Sequence, residues 1–204
     1  MGWWNHISIQ PQIYLSLTDI AAALSHTNAG KNTKPGKRAA QRDGLASRIK
    51  AVCDLTDESD SPTIVWCLGN DESAQLARRI EGAVELCGDY SVHKKEAILT
   101  AFTEGSPYNG APIKVLVSKT SICGLGVNLQ RVHRQIFSTI TENATTFYQS
   151  VRRSHRFGQT QRVAVYVVAS EAEGDVLKAL QAKQEVLESS WVKLTALARS
   201  SWGV

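Results

Sequence analysis

The feature that most constrains the fold is an alternation, after Pro62, of short apolar runs with segments of helical periodicity. The runs TIVWCL, IKVLV and RVAVYVV have the length of strands and are apolar at nearly consecutive positions, which is typical of strands buried on both faces. Because helical segments separate these runs, the strands should be parallel and the helices should cover both faces. We therefore predict an α/β fold, a three-layer sandwich whose central, mostly parallel sheet has about five or six strands.

Periodicity also locates the individual elements. Strands are expected at residues 63–68, 84–86, 113–117, 135–139 and 162–168. Leu45, Ile49, Val52 and Leu55 have helical spacing and predict a first helix from residue 45. Further helices are expected over about 71–81, around 97–102, over about 144–155 and, from the capping-box spacing of Ser170 and Glu173, over 170–187.

Composition divides the chain into three parts. Residues 1–25 show no clear period, and residues 26–43 are polar and basic with Gly30, Pro35 and Gly36, which is typical of a linker. We expect an N-terminal extension and basic linker over 1–44, one α/β lobe over 45–187, and a tail or short helix over 188–204.

Several classes of protein are disfavoured. The longest apolar run, VAVYVVA, is much shorter than the ~18 residues of a membrane span, and the first 25 residues lack a basic leader. The four cysteines form no CxxC pair, so neither a disulfide framework nor a zinc site is expected. These features predict no membrane association, no metal ligands and a reducing, cytoplasmic location.

Charge alternates in blocks along the chain. Residues 31–50 carry seven Lys or Arg against one acid, residues 51–90 carry nine acids against two arginines, and residues 131–162 carry six arginines against one acid. Such blocks favour an anionic partner, although solvated faces explain them equally well. If the partner is nucleic acid, Lys34, Lys37 and Arg38 are candidates for contacts with its phosphates.

The basic segment GKNTKPGKR is not a phosphate-binding loop of the Walker A type. Five residues rather than four separate Gly30 from the GK pair, and Arg38 stands where the signature has Ser or Thr. Pro35 also removes one backbone donor.

Two other segments carry candidate chemistry. SKTSICGLGVNLQ (118–130) follows a predicted strand, and its glycines would allow close approach to a ligand, although an ordinary tight turn is an equal alternative. In FYQSVRRSHRFGQ (147–159), a helix over 144–155 would place Arg152 with Arg156 on one face and Gln149 with Arg153 on another. Arg153 and Arg156 are three residues apart and could also converge on one target. One guanidinium group can donate two parallel hydrogen bonds to phosphate oxygens. Because Glu142 is the only acid nearby in sequence, these arginines favour an external anion.

These segments resemble the helicase motifs of superfamily 2. QSVRRSHRFGQ closely resembles motif VI in its SWI/SNF-type form, and TIVWCLGNDESAQLARRI is similar to motif IV. SKTSICGLGVNLQ looks like motif V and resembles the form in phage and bacterial members. The resemblance covers about residues 45–187 and implies a RecA-like fold, the second lobe of a two-lobe motor.

The resemblance also implies roles for individual residues. Arg156 matches the arginine finger and Arg153 its companion facing the ATP phosphates, while Gln149, Gly124, Gly126 and Asn128 match positions around the nucleotide. Ser118, Lys119 and Thr120 match positions that contact the nucleic-acid backbone. Two departures from the pattern are Arg152, where an acid is usual, and Ile122–Cys123, where Ala–Gly is usual.

The chain lacks a Walker A loop and the acidic pair of the first lobe. The resemblance therefore implies that ATP and Mg²⁺ are held mainly by a first lobe. We expect that the present chain is an excised lobe, or else that the first lobe comes from another chain. The expected partner is nucleic acid, in particular double-stranded DNA, in a bacterial or phage-infected cytoplasm or, for a eukaryotic protein, in the nucleus. The alternatives are an ATP-independent nucleic-acid-binding or nuclease-accessory module and, less favoured, a small-molecule α/β enzyme.

Overall fold

The computed structural model describes residues 7–13, 44–122, 127–139, 144–154, 156 and 159–169; within these ranges, the side chains of 7–13, 144–145, 148 and 169 are not described. In chain order the elements are β1 (Ile7–Ile13), α1 (Leu45–Asp57), β2 (Thr63–Cys67), α2 (Asn70–Arg79), β3 (Ala83–Leu86), α3 (Val92–Glu104), β4 (Pro107–Tyr108), β5 (Ala111–Pro112), β6 (Val115–Lys119), β7 (Arg134–Phe137), α4 (Ala144–Ser154) and β8 (Val163–Ala169).

The main sheet has six strands in the order β1-β8-β7-β2-β6-β3, and every pair in it is parallel. All five residues of β2 and all four of β7 are buried, because these strands lie inside the sheet with helices on both faces. The predicted α/β, RecA-like architecture is confirmed.

Alternate residues of strand β2 belong to two separate hydrophobic cores, one on each face of the sheet. Ile64 and Trp66 of β2 belong to the core with α3 and α4, whereas Val65 and Cys67 belong to the core with α1 and α2. In the first core the ring of Phe137 lies 6.2 Å from that of Trp66 and 4.5 Å from that of Phe147, measured between centroids. Both faces of the sheet therefore carry an apolar core, as a three-layer sandwich requires.

Most elements lie where periodicity predicted them. Ile49, Val52 and Leu55 are completely buried on α1, and β2, β3, β7 and β8 agree with their predicted positions within two residues. Strand β6 ends at Lys119, two residues later than predicted, so the first two residues of the segment 118–130 belong to a strand. The helix predicted over 170–187 lies outside the described residues.

Two elements were not predicted. Strand β1 comes from the segment expected to be an extension of the lobe, and it pairs with β8 along its whole length. Pro11 stands opposite Val167. An edge strand tolerates a proline, because the side of its backbone that faces away from the sheet needs no N–H donor. The other is the β4–β5 hairpin, whose turn holds Asn109 and Gly110 at positive φ.

Arg134 fixes α1 to the start of β7. Its guanidinium is buried, donates to the Leu55 carbonyl at 2.6 Å and lies 3.4 Å from a Glu58 carboxylate oxygen. The same group stands 4.8 Å above the ring of Tyr166. A cation near the C-terminus of a helix is favourable because the last carbonyls carry partial negative charge.

No helix in the described part of the chain is long and apolar enough to cross a bilayer.

Candidate motor site

The two ends of segment 118–130 lie at opposite ends of the sheet. Lys119 is the last residue of β6 and lies at the carboxyl edge, whereas Leu129 and Gln130 precede β7 and lie at the amino edge. The segment was expected to form one ligand-binding turn at the carboxyl edge. The structure instead divides its residues between two places, because the chain must return along the sheet before it enters another parallel strand.

At the carboxyl edge, Ser118 is completely buried and its Oγ donates to the Leu86 carbonyl at 3.2 Å. The hydroxyl of Ser118 is therefore engaged inside the fold, and a contact of this residue with nucleic acid stays a prediction. Thr120 is also largely buried. Lys119 is half-buried, and its Nζ donates to the Asn70 side chain at the start of α2.

Glu72 is a site residue that the sequence did not indicate. Its carboxylate is buried and accepts hydrogen bonds from Ser138 Oγ (2.7 Å), Thr139 Oγ1 (2.6 Å) and the Leu68 amide (3.2 Å). These contacts join the start of α2 to the end of β7. The signal in the sequence was an acid three residues after Gly69, which is the spacing of a capping box. A capping box normally begins with Ser, Thr, Asp or Asn, so the glycine at this position concealed the pattern.

The thiol of Cys67, near Glu72, is chemically unreactive. Burial, reinforced by the negative charge of Glu72, raises the pKa of Cys67 to about 12. A thiol with so high a pKa stays protonated and is a poor nucleophile.

The loop 87–91 and the first turn of α3 adjoin this edge. A Cβ placed on Gly88 would lie 3.7 Å from Ile122 Cδ1, so the loop packs beside segment 118–130. Ser91 caps α3 by accepting a hydrogen bond from the Lys94 amide, and Lys95 Nζ donates to the Gly88 carbonyl. The structure thus places Lys95 beside the loop that packs against segment 118–130, and the first turn of α3 contains no acid.

At the amino edge, backbone and side-chain hydrogen bonds join the two predicted motifs. The Leu129 amide donates to the Arg153 carbonyl at 3.2 Å. Gln159 Nε2 donates to the Gln130 carbonyl at 2.7 Å and to the Ser154 carbonyl at 3.2 Å. Gln159 therefore caps the end of α4 and holds the end of segment 118–130 against it.

Helix α4 presents one face to the core and another to solvent. Phe147, Ser150, Val151 and Ser154 are buried, and Gln135 Nε2 donates to the Val151 carbonyl at 3.1 Å. The opposite face carries Gln149 and Arg152, which are exposed, and Arg153, which is half-buried.

The helix ends at Ser154, so Arg156 follows the helix and is not part of it. The expectation that Arg153 and Arg156 lie on one helix is therefore wrong, whereas their convergence on one target stays a prediction. Arg156 is exposed, and its amide donates to the Ser154 carbonyl at 3.1 Å. The turn still keeps the two arginines close in the chain, at the end of α4.

Asn128 lies at the same end. It is exposed, and its Oδ1 accepts from the Gln130 amide at 3.2 Å, which is an Asx-type turn. The predicted residues Gly124, Gly126, Lys34, Lys37 and Arg38 lie outside the described residues.

The fold and these paired motifs are those of a helicase lobe. The helicase conserved C-terminal domain matches residues 47–158, more than half of the chain. The chain therefore belongs to the helicase conserved C-terminal domain family. No curated protein matches the sequence.

Solved structures with the same fold include three helicase or ATPase domains. The C-terminal part of the Fun30 ATPase domain has a TM-score of 0.55 and 19% identity, over 65% of this chain and 44% of that one. The C-terminal domain of the DEAD-box protein Dbp5 has a TM-score of 0.56 and 15% identity, over 68% of this chain and 78% of that one.

A hypothetical ATP-dependent RNA helicase from Sulfolobus tokodaii has a TM-score of 0.56 and 17% identity, over 85% of this chain and 42% of that one. At these identities the likeness establishes the fold. The present chain spans less than half the length of the Fun30 and Sulfolobus chains.

Proposed function

We propose that this chain is the second lobe of an ATP-dependent, SWI/SNF-type translocase that acts on double-stranded DNA, from a phage or a bacterium. ATP and Mg²⁺ are held mainly by a first lobe, and Arg153 and Arg156 approach the phosphates from this lobe. Guanidinium charge at that position stabilises the charge that develops on the transferring phosphoryl group.

The observation that carries this proposal is the hydrogen-bonded junction at the end of α4. Leu129 and Gln159 fix segment 118–130 against the arginine-bearing turn, and Asn128 and Arg156 both remain exposed there. A fixed backbone with an exposed guanidinium is suited to reach a ligand that another lobe holds. Lys119 and Lys95 lie at the opposite end of the sheet, where a phosphate backbone can be bound without competing for the arginines.

The polypeptide by itself is expected to have no ATPase activity. It lacks a phosphate-binding loop and the acids that hold Mg²⁺, which together provide most of the nucleotide contacts in such motors. Phosphate release should equal the no-enzyme background with saturating duplex DNA, and adding a purified first lobe should restore turnover. Turnover by the isolated chain that disappears in Arg156→Ala would contradict the division of the site between two lobes.

The basic segment 31–50 is expected to contact DNA phosphates without sequence preference. Each phosphate that is neutralised should contribute about −0.9 to the slope of log K against log salt concentration. Reversing the charges of Lys31, Lys34, Lys37 and Arg38 should therefore make the slope shallower, as measured by fluorescence anisotropy of labelled duplex at several salt concentrations. An unchanged slope would remove this segment from the interface.

A further inference from the structure

A groove with a volume of about 350 Å³ lies along the edge of β3 that faces away from β6. Strand β3 is the last strand of the sheet, and β6 is its only partner among the described strands. Helix α2 forms one wall of the groove and helix α3 the other, and the β4–β5 hairpin lies at one end. The groove thus follows the edge of the sheet between the two helical layers.

The floor of the groove offers backbone hydrogen-bonding groups. The Gly82 carbonyl accepts from the Lys114 and Val115 amides, so Gly82 directs its carbonyl to β6. Because backbone groups alternate in direction along a strand, the Glu85 N–H and C=O point away from β6, as does the Ala83 carbonyl. These groups match a partner that supplies donors and acceptors at the spacing of an extended chain.

The walls leave room for side chains of such a partner. Helix α2 lines the groove with the short side chains of Ala74 and Ala77, whereas the opposite wall presents Ile98 and the ring of Tyr90. A strand added at this edge would direct alternate side chains toward α2 and toward α3, since successive side chains point to opposite faces. Both walls would then receive a side chain from the partner.

The charges of the groove favour an acidic partner. Arg78 lies on the α2 wall and Lys94 on the α3 wall, where its Nζ stands 3.4 Å above the centre of the Tyr90 ring. Glu85 is the one acid among the described lining residues. Arg78 is exposed and forms no ion pair with any other described residue.

We propose that this groove binds an extended acidic peptide of a partner protein, which joins the sheet as a seventh strand beside β3. The free edge spans four residues, which corresponds to about 13 Å of extended chain. Backbone hydrogen bonds to Ala83 and Glu85 provide affinity, and pairing with Arg78 and Lys94 selects acidic side chains, as in other peptide sites built on a sheet edge. The site uses none of the residues assigned to the motor.

The test uses this chain and a fluorescein-labelled hexapeptide in which two adjacent central glutamates, one for each wall, are flanked on both sides by two valines, with binding followed by fluorescence anisotropy. Two control peptides are matched to it: one has lysine in place of glutamate, and the other has N-methylated amides at alternate positions. We expect saturable binding of the first peptide with a dissociation constant below about 1 mM, and binding at least about tenfold weaker for both controls. The N-methylated control separates strand pairing from charge attraction, because its side chains are unchanged.

Variants of the protein locate the binding. The double variant Arg78→Glu, Lys94→Glu should weaken binding by about tenfold or more, whereas Arg79→Glu should not, because Arg79 is exposed on the same helix but does not line the groove. Equal binding of the N-methylated peptide, equal effects of the two charge changes, or no saturable binding would overturn the proposal. Self-association of the chain in sedimentation that Arg78→Glu abolishes would also overturn it, since the groove would then hold a second copy.

Discussion

Replacing Arg156 with alanine is expected to lower ATP turnover of the intact two-lobe motor by about 10³–10⁵-fold, the effect of removing an arginine finger in related chemistry. This loss corresponds to about 4–7 kcal/mol of transition-state stabilisation. Arg156 is exposed and follows the last turn of α4, so its side chain is available to a phosphate bound by another lobe. Lysine should restore little activity because an ammonium group lacks the planar pair of donors.

The same variant should leave the fold intact. Exposed substitutions change the free energy of unfolding by about 0.5 kcal/mol or less, which is about 2 °C in Tm for a chain of this size. Arg162→Ala is a matched control, since Arg162 is exposed in the same segment, just before β8. ATPase rates and thermal unfolding should be measured on both variants. Near-normal turnover in Arg156→Ala, or a loss that unfolding accounts for, would refute the assignment.

Replacing Glu72 with alanine is expected to lower the free energy of unfolding by about 2–4 kcal/mol. The change removes the carboxylate oxygen to which Ser138 Oγ and Thr139 Oγ1 donate. Both hydroxyls are buried and lose this hydrogen bond. The change also removes the acceptor for the Leu68 amide. Each kcal/mol should appear as about 2–4 °C in Tm, and denaturant unfolding of this chain measures the loss directly.

Two further variants test whether the missing hydrogen bonds of Glu72 cause the loss of stability. Glu72→Gln keeps one carbonyl oxygen and the shape of the side chain, so its stability should lie between those of the wild type and Glu72→Ala. Glu81→Ala changes an exposed glutamate in the turn after α2 and should shift the free energy of unfolding by about 0.5 kcal/mol or less. Equal effects of Glu72→Ala and Glu81→Ala would show that the hydrogen bonds of Glu72 contribute nothing to stability.

The layered architecture and the family could be predicted from local patterns. Ile49, Val52 and Leu55 follow the spacing of one helical face, and all three are completely buried. The apolar run of β2 needs cover on both faces, and β2 lies inside the sheet with helices on each side. Motif VI was recognisable because its residues are contiguous in the sequence, and the family match includes all of it except Gln159.

The tertiary structure decided the features that depend on contacts between distant residues. Glu72 meets Thr139 although 67 residues separate them, and nothing around either residue marks the pair. Strand β1 is defined by its pairing with β8, because Pro11 and an irregular pattern conceal it locally. Pairing of β6 with its neighbours buried Ser118, and the hydrogen bond from the Leu129 amide to the Arg153 carbonyl joined the end of segment 118–130 to α4. Periodicity reports which face of an element is apolar, whereas only the packed chain determines which elements meet and which ends of the sheet their loops occupy.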